Sequence, residues 1–486
     1  MNGILLEKIM KKKIFLLCVV FATMFVAYKV WERYLSERSI VILSTTDMHA
    51  KVEKFPQLAT AVNLCRDTVT TFLVDAGDRW TGNAYVDMAK EPRRPIIDMM
   101  NELGYDVATL GNHEFDEGQA FLGHINSLAK FDIVCANCLS DTITFPQPRA
   151  YEVYCRKGVK VGFVGVITNY DRNNRPSGKE KSYVGLRFPD PQQVAAEQAA
   201  VLRDKCDVLV LLSHMGDDMD SELATKCDAY DMIVCGHTHN LVDTLIGRTL
   251  LGQSGNNCKR VGVTHIKMKG TKIKDIEYDI VDLKDYEADT TYAEWVARLH
   301  DNEVLSAPVG ESKNLLYRAG LAAWEVDAVK RALGVDIALY HRGGIRLDPM
   351  PSTQISTADI FSLEPFSSTI YTMTMTPEQL RQMIIAKFND TENPKESHRV
   401  DIFANIPYVI FTDASGEAVD VKFEGLTEGD KYSVAMGDYM YANYKLVEAE
   451  NVATEGILLT DILINDLREN SPIDYSNEPV QRVVKR

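Results

Sequence analysis

The rhythm of hydrophobic and polar positions changes twice along the chain, and each change marks a new region. Over residues ~37–285, short apolar runs alternate with amphipathic stretches. Ile40–Leu43, Phe72–Val74, Val107–Leu110, Val208–Leu212 and Met232–Cys235 are apolar and rich in β-branched residues, so they read as strands buried on both faces. Phe55–Cys65, Pro95–Leu103, Gly118–Leu128 and Pro191–Lys205 read as the helices between them. Strands alternating with helices predict a layered α/β sandwich. Around Thr264–Leu283 the pattern turns to polar–apolar alternation, which predicts antiparallel strands closing the unit. Thr290–Leu305 then reads as a single amphipathic helix of about four turns, a connector.

The rest of the chain has a different pattern. Trp324–Leu333 reads as a helix and Asp336–Tyr340 as a buried strand running into His341-Arg342-Gly343-Gly344-Ile345-Arg346. Ser356-Thr357-Ala358-Asp359 opens another helix, followed by Glu364-Pro365-Phe366. Phe403–Gly416 reads as a hairpin with its turn at Asp413–Gly416. The expected division is a targeting segment at 1–36, a layered domain at 37–285, a linker helix at 286–305, and a second, smaller α/β domain at 306–486.

Composition narrows the class. A chain of 486 residues with 45% hydrophobic and 25% charged residues is an ordinary globular protein. Its formal net charge of −16 argues against gripping a nucleic-acid polymer, which needs lysine and arginine on its phosphates. A small phosphorylated substrate remains compatible, because bound cations reverse the local potential. Lys11-Lys12-Lys13 ahead of the apolar stretch Ile14–Val30 read as an uncleaved membrane anchor, or alternatively a cleaved signal, with the remaining chain outside the cytoplasm. Met10 before those lysines reads as an alternative start. All nine cysteines lie at or before Cys258; Cys135 and Cys138 form a C-x-x-C without a second one, and read as small buried residues.

The chemistry sits where the apolar runs end. Thr46-Asp47-Met48-His49, Gly77-Asp78, Gly111-Asn112-His113-Glu114-Phe115-Asp116, Ser213-His214 and Gly236-His237-Thr238-His239 each follow one run. In layered α/β proteins ligands collect beyond the carboxyl ends of such strands. Aspartate oxygens with histidine nitrogens suit zinc, manganese or iron rather than calcium. Asp47 and His49, two apart, can face one ion, as can His237 and His239; Asn112 adds a neutral oxygen. Two such ions lower the pKa of a shared water and clamp an in-line displacement. His124, His265, His300 and His398 lack this setting, and Asp75 reads as a residue that positions the loop ahead of Asp78.

In that order, these motifs resemble the calcineurin-like metallophosphoesterases, and Asn112-His113-Glu114-Phe115-Asp116 is similar to the N-H-E-F-D segment of the two-domain 5′-nucleotidases. The resemblance implies a metallophosphoesterase sandwich followed by a substrate-binding domain. It implies that Asp47, His49 and His239 hold one metal, that Asn112, His214 and His237 hold the other, and that Asp78 bridges them. His113, oriented by Asp116, would stabilise the transition state and assist the leaving oxygen. Arg342 and Arg346 would contact the substrate phosphate, and Phe403 and Tyr439 would sandwich a nucleobase. The chain departs from the family at Tyr441-Ala442-Asn443-Tyr444-Lys445, where a glycine-rich stretch with a ribose-binding aspartate is expected, at Ser367-Ser368 after the P-F pair, and near Pro377-Glu378, where a third arginine is expected.

The expected activity is therefore metal-dependent release of phosphate from nucleoside 5′-monophosphates. The alternatives are hydrolysis of 2′,3′-cyclic nucleotides, dinucleoside polyphosphates or nucleotide sugars at the same site, and a non-enzymatic surface protein that keeps the fold. Because metal motifs and aromatic residues lie in different regions, closure of one domain on the other is expected to assemble the site.

Overall fold

The computed structural model describes residues 13–486 apart from 15, 27, 29–30, 32–34, 142–144, 171–173, 392–396 and 447–448. Two six-stranded sheets face each other. The first runs in the order Lys272–Asp282, Arg260–Lys269, Glu37–Thr45, Thr70–Asp75, Val107–Ala108, Asp132–Ile133. The second runs Leu241–Ile246, Thr249–Ser254, Met232–Cys235, Val208–His214, Val159–Ile167, Tyr151–Arg156.

The strands at the heart of both sheets are parallel, so their carboxyl ends point the same way. Ile40, Ile42, Phe72 and Val74 of one sheet meet Phe163, Val210, Leu212 and Val234 of the other in a shared core. The opposite face of each sheet is covered by helices, Phe55–Thr68, Arg94–Leu103 and Gln119–Leu128 on the first and Pro191–Leu202 and Asp217–Lys226 on the second. That double cover is why the strand runs read as unbroken apolar stretches. Cys135 and Cys138 are both buried in the core under the first sheet's helices.

The amino-terminal apolar stretch lies partly outside the described residues. No helix among the described residues is long and apolar enough to cross a membrane.

The expected four-turn connector is broken. A helix covers Thr290–His300, and a second, short one covers Glu303–Ser306. Asp301 leaves helical geometry, and the Asn302 side chain caps the second piece by accepting the Leu305 N–H at 3.1 Å. Asparagine and aspartate favour such caps over helix interiors. The longer piece lies against Phe55–Thr68, with Tyr292 near Phe55.

The second domain carries a five-stranded sheet in the order Ile402–Ala404, Ile337–His341, Tyr432–Gly437, Thr369–Met375, Glu450–Leu458. Helices Arg318–Leu333 and Leu459–Asn470 cover one face and Pro377–Phe388 the other. The first of these begins six residues earlier than the apolar pattern suggested. The hairpin appears as Tyr408–Thr412 paired with Ala418–Phe423, its turn closed by the Gly416 N–H on the Asp413 carbonyl at 3.2 Å.

Candidate active site

The ligand loops begin where parallel strands end at Thr45, Asp75, Ala108, His214 and Cys235. The D-x-H spacing sorts its side chains: Met48 is buried in the core, while Asp47 and His49 join His239 in one donor group. This turn needs unusual backbone. Asp47, His49, Asp78, His237 and His239 all have positive φ, between 47° and 81°. For non-glycine residues such angles cost about 1–3 kcal/mol each and persist only where the surroundings enforce them.

Those surroundings are visible. The N–H groups of Asp47 and His49 donate to the carbonyls of Gly77 and Asp78, both at 3.0 Å, so two ligand loops are laced backbone to backbone. Glu114 ties in the third: its carboxylate accepts the N–H groups of Asp78 and Arg79, each at 2.9 Å, and that of Gly111. Fully buried Arg79 reaches the Thr109 carbonyl at 2.7 Å and lies 3.3 Å from Asp75. Asp75 also accepts the Thr45 hydroxyl at 2.9 Å, so it braces the loop as expected. Gly111 has no alternative here, since a Cβ would lie 2.2 Å from Asp78 Oδ1.

The donor atoms converge in three overlapping groups: Asp47, His49 and His239; His49, Asp78 and His113; Asp78, His214 and His237. Within each, the ligand atoms lie within 4.8 Å of one another. His49 Nε2 and His239 Nε2 are 3.1 Å apart, and His237 Nδ1 is 3.0 Å from Asn112 Oδ1. His214 Nδ1 donates to the Ala76 carbonyl at 2.7 Å, which turns Nε2 toward the other donors of its group. That Nε2 is buried without a well-angled partner, 3.1 Å from Asp78 Oδ2.

Burial would lower the His214 pKa, but the Asp78 carboxylate carries it up to about 10. Burial, then the charge of Arg346, holds His49 well below the usual histidine value, in the neutral form that ligates. The orphaned His214 Nε2 beside the Asp78 carboxylate marks a seat that favours cations, and Asp, His and Asn donors fit a divalent transition metal.

His113 stands beside the seat. Its Nδ1 donates to Asp116 Oδ2 at 2.9 Å, and its Nε2 is 4.0 Å from Asp78 Oδ2. Burial opposes its charged form, yet Asp116 and Asp78 raise its pKa.

Above the seat, a cavity of about 560 Å³ runs between the domains. Arg346 reaches through it to His49, with Nη2 3.1 Å from Nε2. Tyr439 lines it and stacks on His341, centroids 4.8 Å apart and planes 24° apart.

Two expected substrate residues lie outside the cavity. Phe403 is 6% exposed; on its strand Ile402 and Ala404 join one core and Phe403 the opposite one, beside Tyr340. A strand buried on both faces leaves this ring no route to a ligand. Arg342 opens the tight turn after His341 and does not line the cavity, and its charge is felt by Arg318.

Other lining residues were not anticipated. Arg399 enters just ahead of the buried strand Ile402–Ala404, where the strand-end rule that found the metal clusters could have flagged it from the other direction. Lys179 comes from an irregular stretch with no pattern to read. Asp401 and Asp438 place carboxylates in the cavity despite the missing glycine-rich segment.

Residues 40–241 match the family described as calcineurin-like phosphoesterase, and residues 301–448 match the 5′-nucleotidase, C-terminal domain. The chain belongs to the two-domain 5′-nucleotidase family. The phosphoesterase match falls on the domain that carries the histidine and aspartate clusters, whose donors suit a divalent metal.

It is 25% identical over 458 residues to endonuclease YhcR of Bacillus subtilis, a match covering 82% of this chain and 37% of that protein. It therefore spans little more than a third of that relative's length. It is 24% identical over 476 residues to protein UshA of Yersinia enterocolitica, covering 83% and 84%. A 5′-nucleotidase precursor from Thermus thermophilus shares the two-domain fold, with a TM-score of 0.77 at 20% identity over 92% of this chain and 99% of that one.

Proposed function

We propose that this nucleotidase-family protein hydrolyses nucleoside 5′-monophosphates to nucleoside and phosphate. The supporting observation is the meeting of Arg346 with the metal seat, 3.1 Å from His49 Nε2. A phosphate on the seat would thus be gripped from the opposite domain by a guanidinium fork that matches its oxygens. Asp47, His49 and His239 would hold one ion, Asn112, His214 and His237 the other, with Asp78 bridging. When bound, two zinc, manganese or iron ions would supply Lewis-acid activation and a nucleophile at neutral pH.

The chain's own residues do the rest. Asp116 fixes the His113 ring so that Nε2 can deliver a proton to the leaving oxygen. Phe366 lies over His113, centroids 5.7 Å apart, and shields that proton from bulk water. Tyr439, backed by His341 rather than by Phe403, offers one aromatic face for a base.

Purified protein supplied with manganese or zinc is expected to release phosphate from AMP and to stop when chelator is added. No release from any nucleoside monophosphate would overturn the reading.

A second substrate class has its own support. Arg399 lines the same cavity as Arg346, a second guanidinium beyond the one at the metal seat. A pyrophosphate-linked nucleotide, such as a dinucleoside polyphosphate or nucleotide sugar, would use both. A substrate panel separates the two, because a higher kcat/KM for a diester or pyrophosphate than for AMP selects the second. We also place the protein outside the cytoplasm, from Lys11-Lys12-Lys13 ahead of Ile14–Val30. Protease digestion of intact cells should then reach it.

A further inference from the structure

After strand Val159–Ile167 the chain runs to the domain junction before it reaches its next helix. Residues 175–183 of this segment are folded on themselves. Buried Arg175 donates from Nη1 to the carbonyls of Pro176 at 3.2 Å and Gly178 at 3.1 Å, and the Tyr183 hydroxyl donates to the Ser177 carbonyl at 2.7 Å. Gly178 has φ +142°, and a Cβ there would sit 2.8 Å from the Tyr183 hydroxyl, so the turn requires glycine.

This prefolded strap reaches across to the other domain. Lys179 Nζ donates to the Phe366 carbonyl at 2.9 Å and lies 3.6 Å from Asp438 Oδ2, while Arg175 Nη2 is 3.4 Å from Asn443 Oδ1.

The carbonyl that Lys179 holds belongs to the residue whose ring stacks on His113 at an interplanar angle of 26°. The Arg346 guanidinium lies 5.6 Å from the centroid of the same ring. From its own side that loop is fixed by Glu364, whose Oε1 accepts the N–H groups of Phe366 and Ser368 at 3.1 Å each. Phe366 is thus anchored by both domains, and the cross-domain anchor is a charged donor, the stronger kind of hydrogen bond.

We propose that Lys179 is an interdomain latch: it ties the strap of the metal-binding domain to the loop carrying Phe366, and so sets how much of the protein is closed with Phe366 on His113 and Arg346 at the metal seat. Lys179 is a positioning residue in this scheme. Only the kinetic part of its test rests on the nucleotidase reading above. Because Lys179 is 30% exposed in side chain and Asp438 22%, salt should loosen the latch.

The test combines solution scattering with two substrates. Lys179→Met is expected to enlarge the radius of gyration and to raise KM for AMP about tenfold, in proportion to the closed fraction lost. Hydrolysis of p-nitrophenyl phosphate, which reports the metal centre, should stay within about twofold, and Lys179→Arg should restore both closure and KM. Asp438→Asn, which leaves the strap untouched, should shift both readouts in the same direction.

An unchanged radius overturns the latch, and so does a larger radius with unchanged KM. A matching loss on both substrates also overturns it, since the metal centre would then be the part affected. If the wild-type protein cleaves p-nitrophenyl phosphate but not AMP, the substrate reading fails while scattering still decides the latch.

Discussion

The guanidinium of Arg346 lies 3.1 Å from His49 Nε2, across a sequence separation of 297 residues and a domain boundary. Burial lowers the arginine's pKa, opposed by the charges of Asp78 and Asp116, yet it stays a cation beside the seat. Replacing it with alanine should raise the barrier behind kcat/KM for a phosphomonoester by about 1.5–3 kcal/mol, a loss of roughly 10- to 160-fold. Arg346→Lys should recover little, because an ammonium cannot present the planar fork. Steady-state kinetics of the two variants against wild type checks this.

His113 and Asp116 should fail in different measures. His113→Ala removes the group beside the leaving oxygen and should cost about 10²–10⁴ in kcat with little change in KM. Asp116→Asn leaves the imidazole present but less well oriented, and should cost roughly 10–100-fold. Equal activity in wild type and His113→Ala would remove the residue from the mechanism.

Metal removal should abolish activity without unfolding the protein. The ligand loops are held by backbone bonds between Asp47 and Gly77, His49 and Asp78, and by Glu114. None of these bonds involves a metal ligand atom except through its backbone. Circular dichroism should therefore match before and after chelation, with activity restored by added ions. Elemental analysis should find two ions per chain, and fewer in His214→Ala or His239→Ala.

A buried acid away from the metal seat should give stability a pH dependence. Glu325 is wholly buried with neither carboxylate oxygen hydrogen-bonded. Burial, and then the charge of Glu364, raises its pKa well above the ordinary 4.5. The folded state thus holds this proton more tightly than the unfolded chain. Its contribution is complete below pH 4.5 and is lost as pH rises through the folded value. The wild type should lose stability relative to Glu325→Gln as pH rises from 4.5 through the folded value, measured as the difference in Tm. A constant difference across that range would contradict the assignment.

Much of this was legible in the chain because its physics is local. Val208–His214 is buried along its whole length, and a run of seven buried residues can be read directly. Metal-ligand clusters after such runs are equally plain, since aspartate and histidine are costly there without a function. The second domain hid more. Phe403 sits on a strand buried on both faces, where a packing ring and a stacking ring look alike in sequence. Arg342 and Arg346 look equivalent in sequence, but the turn over Arg342–Gly344 sends only the second into the cavity. Lys179 owes its place to the strap's own hydrogen bonds and to the docking of two domains, neither of which leaves a periodic trace.

The left-handed backbone at Asp47, His49, Asp78, His237 and His239 also bears on any attempt to re-engineer this centre for another metal. Swapping ligands is usually treated as a choice of side-chain chemistry. At these five places the main chain vetoes most of the alphabet first, admitting aspartate, asparagine, histidine and glycine far more readily than β-branched or bulky residues. A library confined to those four would sample nearly every centre this scaffold can build, and exchanges such as Asp47→Asn are the moves most open to it.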